Sequence, residues 1–210
     1  MPINKIRSSN RAKLAIAAVL SISSSVGGVL MATRPGEQAV PAAVRLAVDA
    51  EIMPWEGLVL TSHWDRFSKR WDICHGDTLI NGKPVTAGMK FTKAECYQIL
   101  LTRVTNDYYK PLTRCIADFD KKPIGLQAML ISGAYNFGVN GTAKHPGACQ
   151  STAARLTREG RYAEACVAMT AFNKAGVGTE RRVVQGLVNR REMGDRQRIG
   201  EAELCVSGLQ

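Results

Sequence analysis

Glu56 is the acid best placed for proton chemistry. It closes an apolar stretch and is flanked by Trp55 and Gly57. A carboxyl wedged among apolar side chains has its charged form disfavoured and stays protonated near neutral pH, as a general acid must. Asp65 follows nine residues later and Asp72 seven after that. With a turn centred on residues 66–70, the two aspartates are expected to face one another across a hairpin. One protonated Glu opposite an ionised, solvated carboxylate is an arrangement that cleaves a glycosidic bond. By spacing alone, the same residues also read as ordinary acids beside turns.

The surrounding elements must position these acids. PAAVRLAVDAEIM (41–53) reads as a helix, with Pro41 at its first position and Val44, Val48 and Ile52 at four-residue spacing. Pro54 is expected to end or kink it. Strands are expected over 58–64 and 70–74, joined by a polar turn at 66–69. Asn81-Gly82 is the strongest hairpin signal in the chain. Thr92 and Glu95 form a capping box that opens a helix, Pro111 starts a further segment, and 123–135 is an apolar helix suited to the centre of a core. Residues 151–157 and 161–170 read as a helical hairpin across Glu159-Gly160, and 181–198 as a last amphipathic stretch. The expected architecture is α+β: a small β-hairpin lobe beside a larger helical lobe, with a ligand cleft between them.

A chain of 210 residues suffices for one domain with a sizeable core. Hydrophobic residues at 45% and charged residues at 22% exclude a mostly disordered chain. The net charge of +10 suits an anionic partner: nucleic acid, anionic lipid or an acidic cell-wall polymer. Arg181-Arg182 and Arg190-Arg191 are read as a basic helical face, with Arg190 or Arg191 paired to Glu192 or another carboxylate. No groove-reading module is present, so nucleic acid is not expected as a partner. The chain has no C-x-x-C or H-x-x-x-H spacing, and neither a metal nor another cofactor is expected.

Ahead of the body, Lys5, Arg7, Arg11 and Lys13 precede an uncharged run from Leu14 to Thr33. A basic flank followed by an apolar run is an export signature. The run is just long enough to cross a bilayer at about 1.5 Å per residue. Serines and glycines dilute it, and no good small-x-small cleavage site precedes Thr33. A cleaved signal peptide, a permanent anchor and a signal-anchor later released from the bilayer are the three readings; each places the body in the periplasm. The expected division is residues 1–34 as export or signal-anchor segment, 35–44 as linker and 45–210 as a catalytic domain, monomeric in solution. Cys74, Cys96, Cys115, Cys149, Cys166 and Cys205 all lie in the body. In an exported chain they make up to three disulfides among fifteen connectivities. Cys149–Cys166 is the preferred pair, tying the start of one helix to its hairpin partner, and a bridge at Cys74 would brace the strand carrying Asp72. With no cysteine in the leader, any latency would rest on membrane tethering.

The stretch WEGLVLTSHWDRFSKRWDICHGDT (55–78) resembles the catalytic segment of the phage-type lysozymes, glycoside hydrolase family 24. AYNFG (134–138), Ser151-Thr152 and GLVNRRE (186–192) resemble that family's later motifs in the same order. The likeness covers about residues 45–205, and the N-terminus resembles the signal-arrest-release segments of a subset of phage endolysins. The resemblance implies a lysozyme-like fold and hydrolysis of the β-1,4 bond between N-acetylmuramic acid and N-acetylglucosamine in peptidoglycan. An inverting course is implied, with carboxyls roughly 6.5–9.5 Å apart to admit a water. Glu56 takes the general-acid position and Asp65 that of the second carboxylate. Where the family has Thr, this chain has Asp72, reached by a one-residue insertion in the turn; His75 and Asp77 stand where it has Tyr and His. The base therefore lies with Asp65 or Asp72. Tyr135 and Asn136 are read as sugar contacts or, equally, as a buried Tyr and a capping Asn. His63 and His75, with no identifiable partner, are read as structural. The implied partners are peptidoglycan glycan strands and, while uncleaved, the inner membrane through residues 14–33. Host lysis and cell-wall remodelling both fit; a catalytically inactive peptidoglycan-binding scaffold is the alternative.

Overall fold

In the computed structural model, which describes residues 2–66, 68–142, 146–176 and 180–209, the uncharged leader run is broken in two. Helix α1 covers Asn10–Leu20 and is capped by the Ser9 side chain on the Ala12 amide. The serines and glycines beyond it form a hairpin of β1 (Ser23–Val26) and β2 (Val29–Ala32). Gly27 and Gly28, at φ +56° and +83°, make its two-residue turn, a backbone that glycine adopts without strain and that matches strand twist. No helix among the described residues is long and apolar enough to cross a membrane. Ala12, Ile16 and Val19 are instead buried in the main core. β2 pairs with β3 (Val40–Pro41), and residues 40–44, expected as part of a linker, are buried. Sheet pairing and helix docking resume at Val40, which ends the linker early.

Helix α2 runs over residues 42–56 as Ala42–Leu46, a π-helical turn Ala47–Ile52 and a last turn Met53–Glu56. Pro54 does not end it. In the π turn the Met53 amide donates to the Val48 carbonyl, five residues back. The wider turn resets the register, so that the proline falls in the first turn of a new α segment, where its missing N–H costs little. Helix α3, residues 93–115, repeats the device: Lys93–Arg103, a π turn Val104–Tyr109, then Lys110–Cys115 with Pro111 in the first turn. Its Thr92–Glu95 capping box forms as expected.

The β lobe consists of two antiparallel hairpins. β4 (Val59–Asp65) pairs with β5 (Arg70–Cys74), and β6 (Leu79–Ile80) pairs with β7 (Lys83–Pro84) across Asn81-Gly82. Ile73, Cys74, Ile80, Val85 and Cys96 form a small core of their own. The larger core is centred on α4 (Ile124–Phe137), whose Leu126, Met129, Leu130 and Ile131 are fully buried. α5 (Thr152–Arg158), capped by Ser151 on the Ala154 amide, and α6 (Tyr162–Ala168) make the expected helical hairpin. The stretch 181–198 is less helical than its pattern suggests. It holds β9 (Arg182–Val183), paired with β8 (Lys174–Ala175), and then the short α7 (Gln185–Arg191). β-branched Val183 and Val184 favour extended backbone at its start. α8 (Glu201–Ser207) packs against α4.

Three disulfides form: Cys74–Cys96, Cys115–Cys149 and Cys166–Cys205. The expected Cys149–Cys166 pair is not among them. Packing between distant segments decides the pairing, since α6 lies on α8 and the turn before α5 lies on the end of α3. The first bridge fastens β5 to α3.

Candidate active site

Glu56 is the last residue of α2, and Gly57, at φ +76°, turns the chain out of the helix toward β4. Trp55 anchors this corner: its indole Nε1 donates to the Ile199 carbonyl at 3.0 Å, and the Arg198 guanidinium lies 3.8 Å from its ring centroid. The Glu56 carboxylate is not wedged among apolar side chains as expected. Arg190 Nη1 donates to its Oε1 at 2.6 Å, and 26% of the Glu56 side chain remains exposed. An arginine thus stands where apolar side chains were expected. Local sequence could not reveal this, because Arg190 is 134 residues downstream.

The hairpin places the aspartates together but not opposite one another. Asp65 pairs with Arg70, Trp64 with Trp71 and His63 with Asp72. Asp65 and Asp72 therefore lie on the same face of the hairpin as diagonal neighbours. Arg66, Ser68 and Lys69 lie in the turn expected at 66–69, of which Phe67 lies outside the described residues, and the register closes on Asp65 and Arg70. Asp65 Oδ2 accepts the Ser68 amide at 3.0 Å. His63, expected to lack a partner, brings Nδ1 within 2.7 Å of Asp72 Oδ1. Burial pushes the Asp72 carboxyl above its ordinary value; His63 opposes that shift, while Asp65 and Asp77 add to it by repulsion.

His75 joins three elements. Its Nδ1 bonds the Gly57 carbonyl, next to Glu56, and its own carbonyl accepts the Tyr135 hydroxyl at 2.6 Å. Tyr135 in turn packs on Tyr108, with ring centroids 5.3 Å apart, and under Arg103, which pairs with buried Asp77 at 2.8 Å. Burial raises the Tyr135 phenol above its ordinary value. A cavity of about 770 Å³ shares Arg103 and Tyr108 with this stack and is lined further by Asp77, Leu79, Asn81 and Gln98. Of the two residues read as sugar contacts, Tyr135 thus spends its hydroxyl on His75. Asn136 is exposed, yet its Oδ1 accepts from Arg191 Nη2.

Behind Glu56 lies a buried charge cluster. Arg190 and Arg191 do not form the expected basic face, since both are buried, but they do pair with a carboxylate: each faces Glu201 Oε1 on α8. Ser132 donates to that same oxygen at 2.7 Å. Glu51, on the π turn of α2, is fully buried, and neither of its oxygens has a hydrogen-bond partner among the described residues. Burial drives its carboxyl well above the ordinary range, with repulsion from Glu201 reinforcing and Arg190 and Arg191 opposing. Glu192 pairs with neither arginine; its carboxylate accepts the amides of Ile3 and Asn4, each at 2.7 Å. Arg11 binds Glu203 with two 2.7 Å hydrogen bonds and also donates to the Met193 and Asp195 carbonyls. The only local trace of this cluster in the sequence is an acid, Glu51, within an apolar helical repeat.

The family model of the phage lysozymes matches residues 53–194, more than half of the chain and the whole span from Glu56 to Arg190. The SAR-endolysin of Pseudomonas phage phiKMV is 32% identical over 121 residues, covering 57% of this chain and 66% of that one. The SAR-endolysin of Escherichia phage N15 is 50% identical over 44 residues, 21% of this chain and 24% of that one. The matched regions span less than two thirds of the length of either relative. Among solved structures, the endolysin from Escherichia coli O157:H7 phage FAHEc1 superposes with a TM-score of 0.62 at 28% identity, covering 76% of this chain and 90% of that one. A Glu at the junction of helix and hairpin, a two-lobed α+β body around it and this match place the chain in the phage lysozyme family.

Proposed function

We propose that the chain is a peptidoglycan muramidase acting in host lysis, cutting the β-1,4 bond between N-acetylmuramic acid and N-acetylglucosamine. The observation that carries this reading is Glu56, held by buried Arg190 at the mouth of a hairpin that presents Asp65 and Asp72 on one face. Glu56 is the general acid. Saccharide covering its exposed part removes water from the carboxylate, which favours the uncharged form that can donate to the leaving oxygen. Asp65 polarises a water for attack on the opposite face of the sugar ring and takes its proton, and Asp72 shares that water. The new hydroxyl arrives opposite the departing oxygen, so the anomeric centre inverts. Asn136, exposed at the end of α4, lines the sugar path beside Tyr135. The net charge of +10 suits a polymer that carries peptide carboxylates.

The body works in the periplasm with its N-terminus retained after release from the inner membrane. Support for retention comes from Arg11, Ile3 and Asn4, whose partners Glu203 and Glu192 are buried. Cleavage near residue 33 would leave both carboxylates without these partners, a costly state. N-terminal sequencing of the periplasmic protein should read Pro2 or Met1; a start at 33–36 would refute retention. For catalysis, Glu56→Gln should bind purified peptidoglycan and lose turbidity-clearing activity by a factor of about 10² or more. Equal activity in wild type and variant would remove Glu56 from the mechanism, whereas a wild type that binds peptidoglycan without clearing it would favour a scaffold.

A further inference from the structure

Glu51 lies five residues before Glu56, one π-widened turn deeper in the same helix. It is fully buried, and none of the steps above uses it. Four charged groups act on it: Arg190 and Arg191 from α7, and Glu201 and Glu203 from α8. A fifth, Arg11 from α1, also feels its charge. Arg11 is already bound to Glu203, which leaves Arg190, Arg191 and Glu201 as the set that must balance Glu51 and Glu56. Two guanidinium charges against one carboxylate leave one positive charge over. A buried cluster of this kind is most stable when its net charge is zero, so it calls for one further negative charge. Two acids can supply it, and Arg190, hydrogen-bonded to Glu56 and within electrostatic reach of Glu51, connects them.

We propose that Glu51 is a positioning residue for the general acid: Glu51 and Glu56 share Arg190 and divide one negative charge between them, so that the uncharged, proton-donating form of Glu56 is stabilised when the charge rests on Glu51. In the resting enzyme the charge lies on the more solvated Glu56. When saccharide removes water from Glu56, the balance tips toward Glu51, and the cluster stays neutral in both states. Such a pair titrates as a unit rather than as two independent groups.

This inference rests on Glu56 being the general acid, and the test separates the two ideas. In Glu51→Gln the second site for the charge is lost, and an uncharged Glu56 leaves a buried positive charge behind. The alkaline limb of its pH–activity profile should fall at lower pH by about half a unit, a loss of about threefold in rate on that limb, with the acid limb unmoved. Glu51→Asp, which restores a chargeable group, should recover part of the lost limb. If Glu51→Gln does not fold, Glu51→Met buries no unpaired polar atom and makes the same test. Carboxyl ¹³C NMR of the folded variant should show Glu56 titrating at lower pH than in wild type, a readout independent of turnover. Superimposable pH profiles and Glu56 titrations in wild type and Glu51→Gln would overturn the coupling, even with Glu56→Gln inactive. An active Glu56→Gln would overturn the general-acid reading itself.

Discussion

At the scale of single residues, the pair His63–Asp72 offers a sharp test of how the second carboxylate works. Burial already lifts Asp72, and His63 beside it opposes that shift. His63→Ala removes that opposing partner, so the Asp72 carboxyl moves further up. An acid that must be ionised to polarise water then loses its working form at a higher pH. The acid limb of the activity profile should therefore shift upward in His63→Ala, while the alkaline limb, which the proposed mechanism assigns to Glu56, stays in place. An unmoved acid limb would take Asp72 out of the water-activating role and leave Asp65 as the base. Asp65→Asn in the same assay should cost about 10² or more in rate.

At the scale of elements, the two π turns and the three disulfides determine where the site stands. Each π turn lets a proline pass through a long helix, and the first of them also brings Glu51 into the buried cluster behind Glu56. The Cys166–Cys205 bridge closes a loop of 39 residues and fastens α6 to α8, the helix that carries Glu201. Replacing both cysteines by Ala should lower the unfolding free energy by about 4 kcal/mol on the chain-entropy account, as measured by urea denaturation under oxidising conditions. A cost below about 1 kcal/mol would show that packing of α6 on α8 alone sets their geometry. Loss of Cys74–Cys96 should act differently, loosening β5 and lowering activity more than stability, because the helical core does not depend on it.

At the scale of the whole molecule, the segment before residue 33 is part of the folded body. α1 buries Ala12, Ile16 and Val19, and Arg11 closes over the carbonyls of Met193 and Asp195, just beyond the arginines that hold Glu56 and Glu201. Arg11→Ala leaves buried Glu203 with Ser9 as its remaining N-terminal partner. The expected cost is about 2 kcal/mol, below that of a wholly buried pair because Arg11 is partly solvated. Thermal unfolding of the purified protein measures it directly. A variant as stable as wild type would mean that the N-terminal segment contributes little to the body.

The sequence by itself determined the elements whose causes are local. The Thr92–Glu95 box, the Asn81-Gly82 turn, the helical hairpin across Glu159-Gly160 and the apolar helix around Leu130 depend on residues close in the chain, and all four are present. It also marked Glu56, Asp65 and Asp72 as the acids to watch, and six cysteines as the makings of up to three bridges. Tertiary structure alone decided what surrounds them. The pairing of Glu56 with Arg190, the partners of each cysteine, the folding of the leader onto the body and the burial of Glu51 all join residues far apart in the chain. Hydrophobic periodicity reports which face of a helix is covered; it does not report what covers it, and the charge state of a carboxyl depends on what covers it.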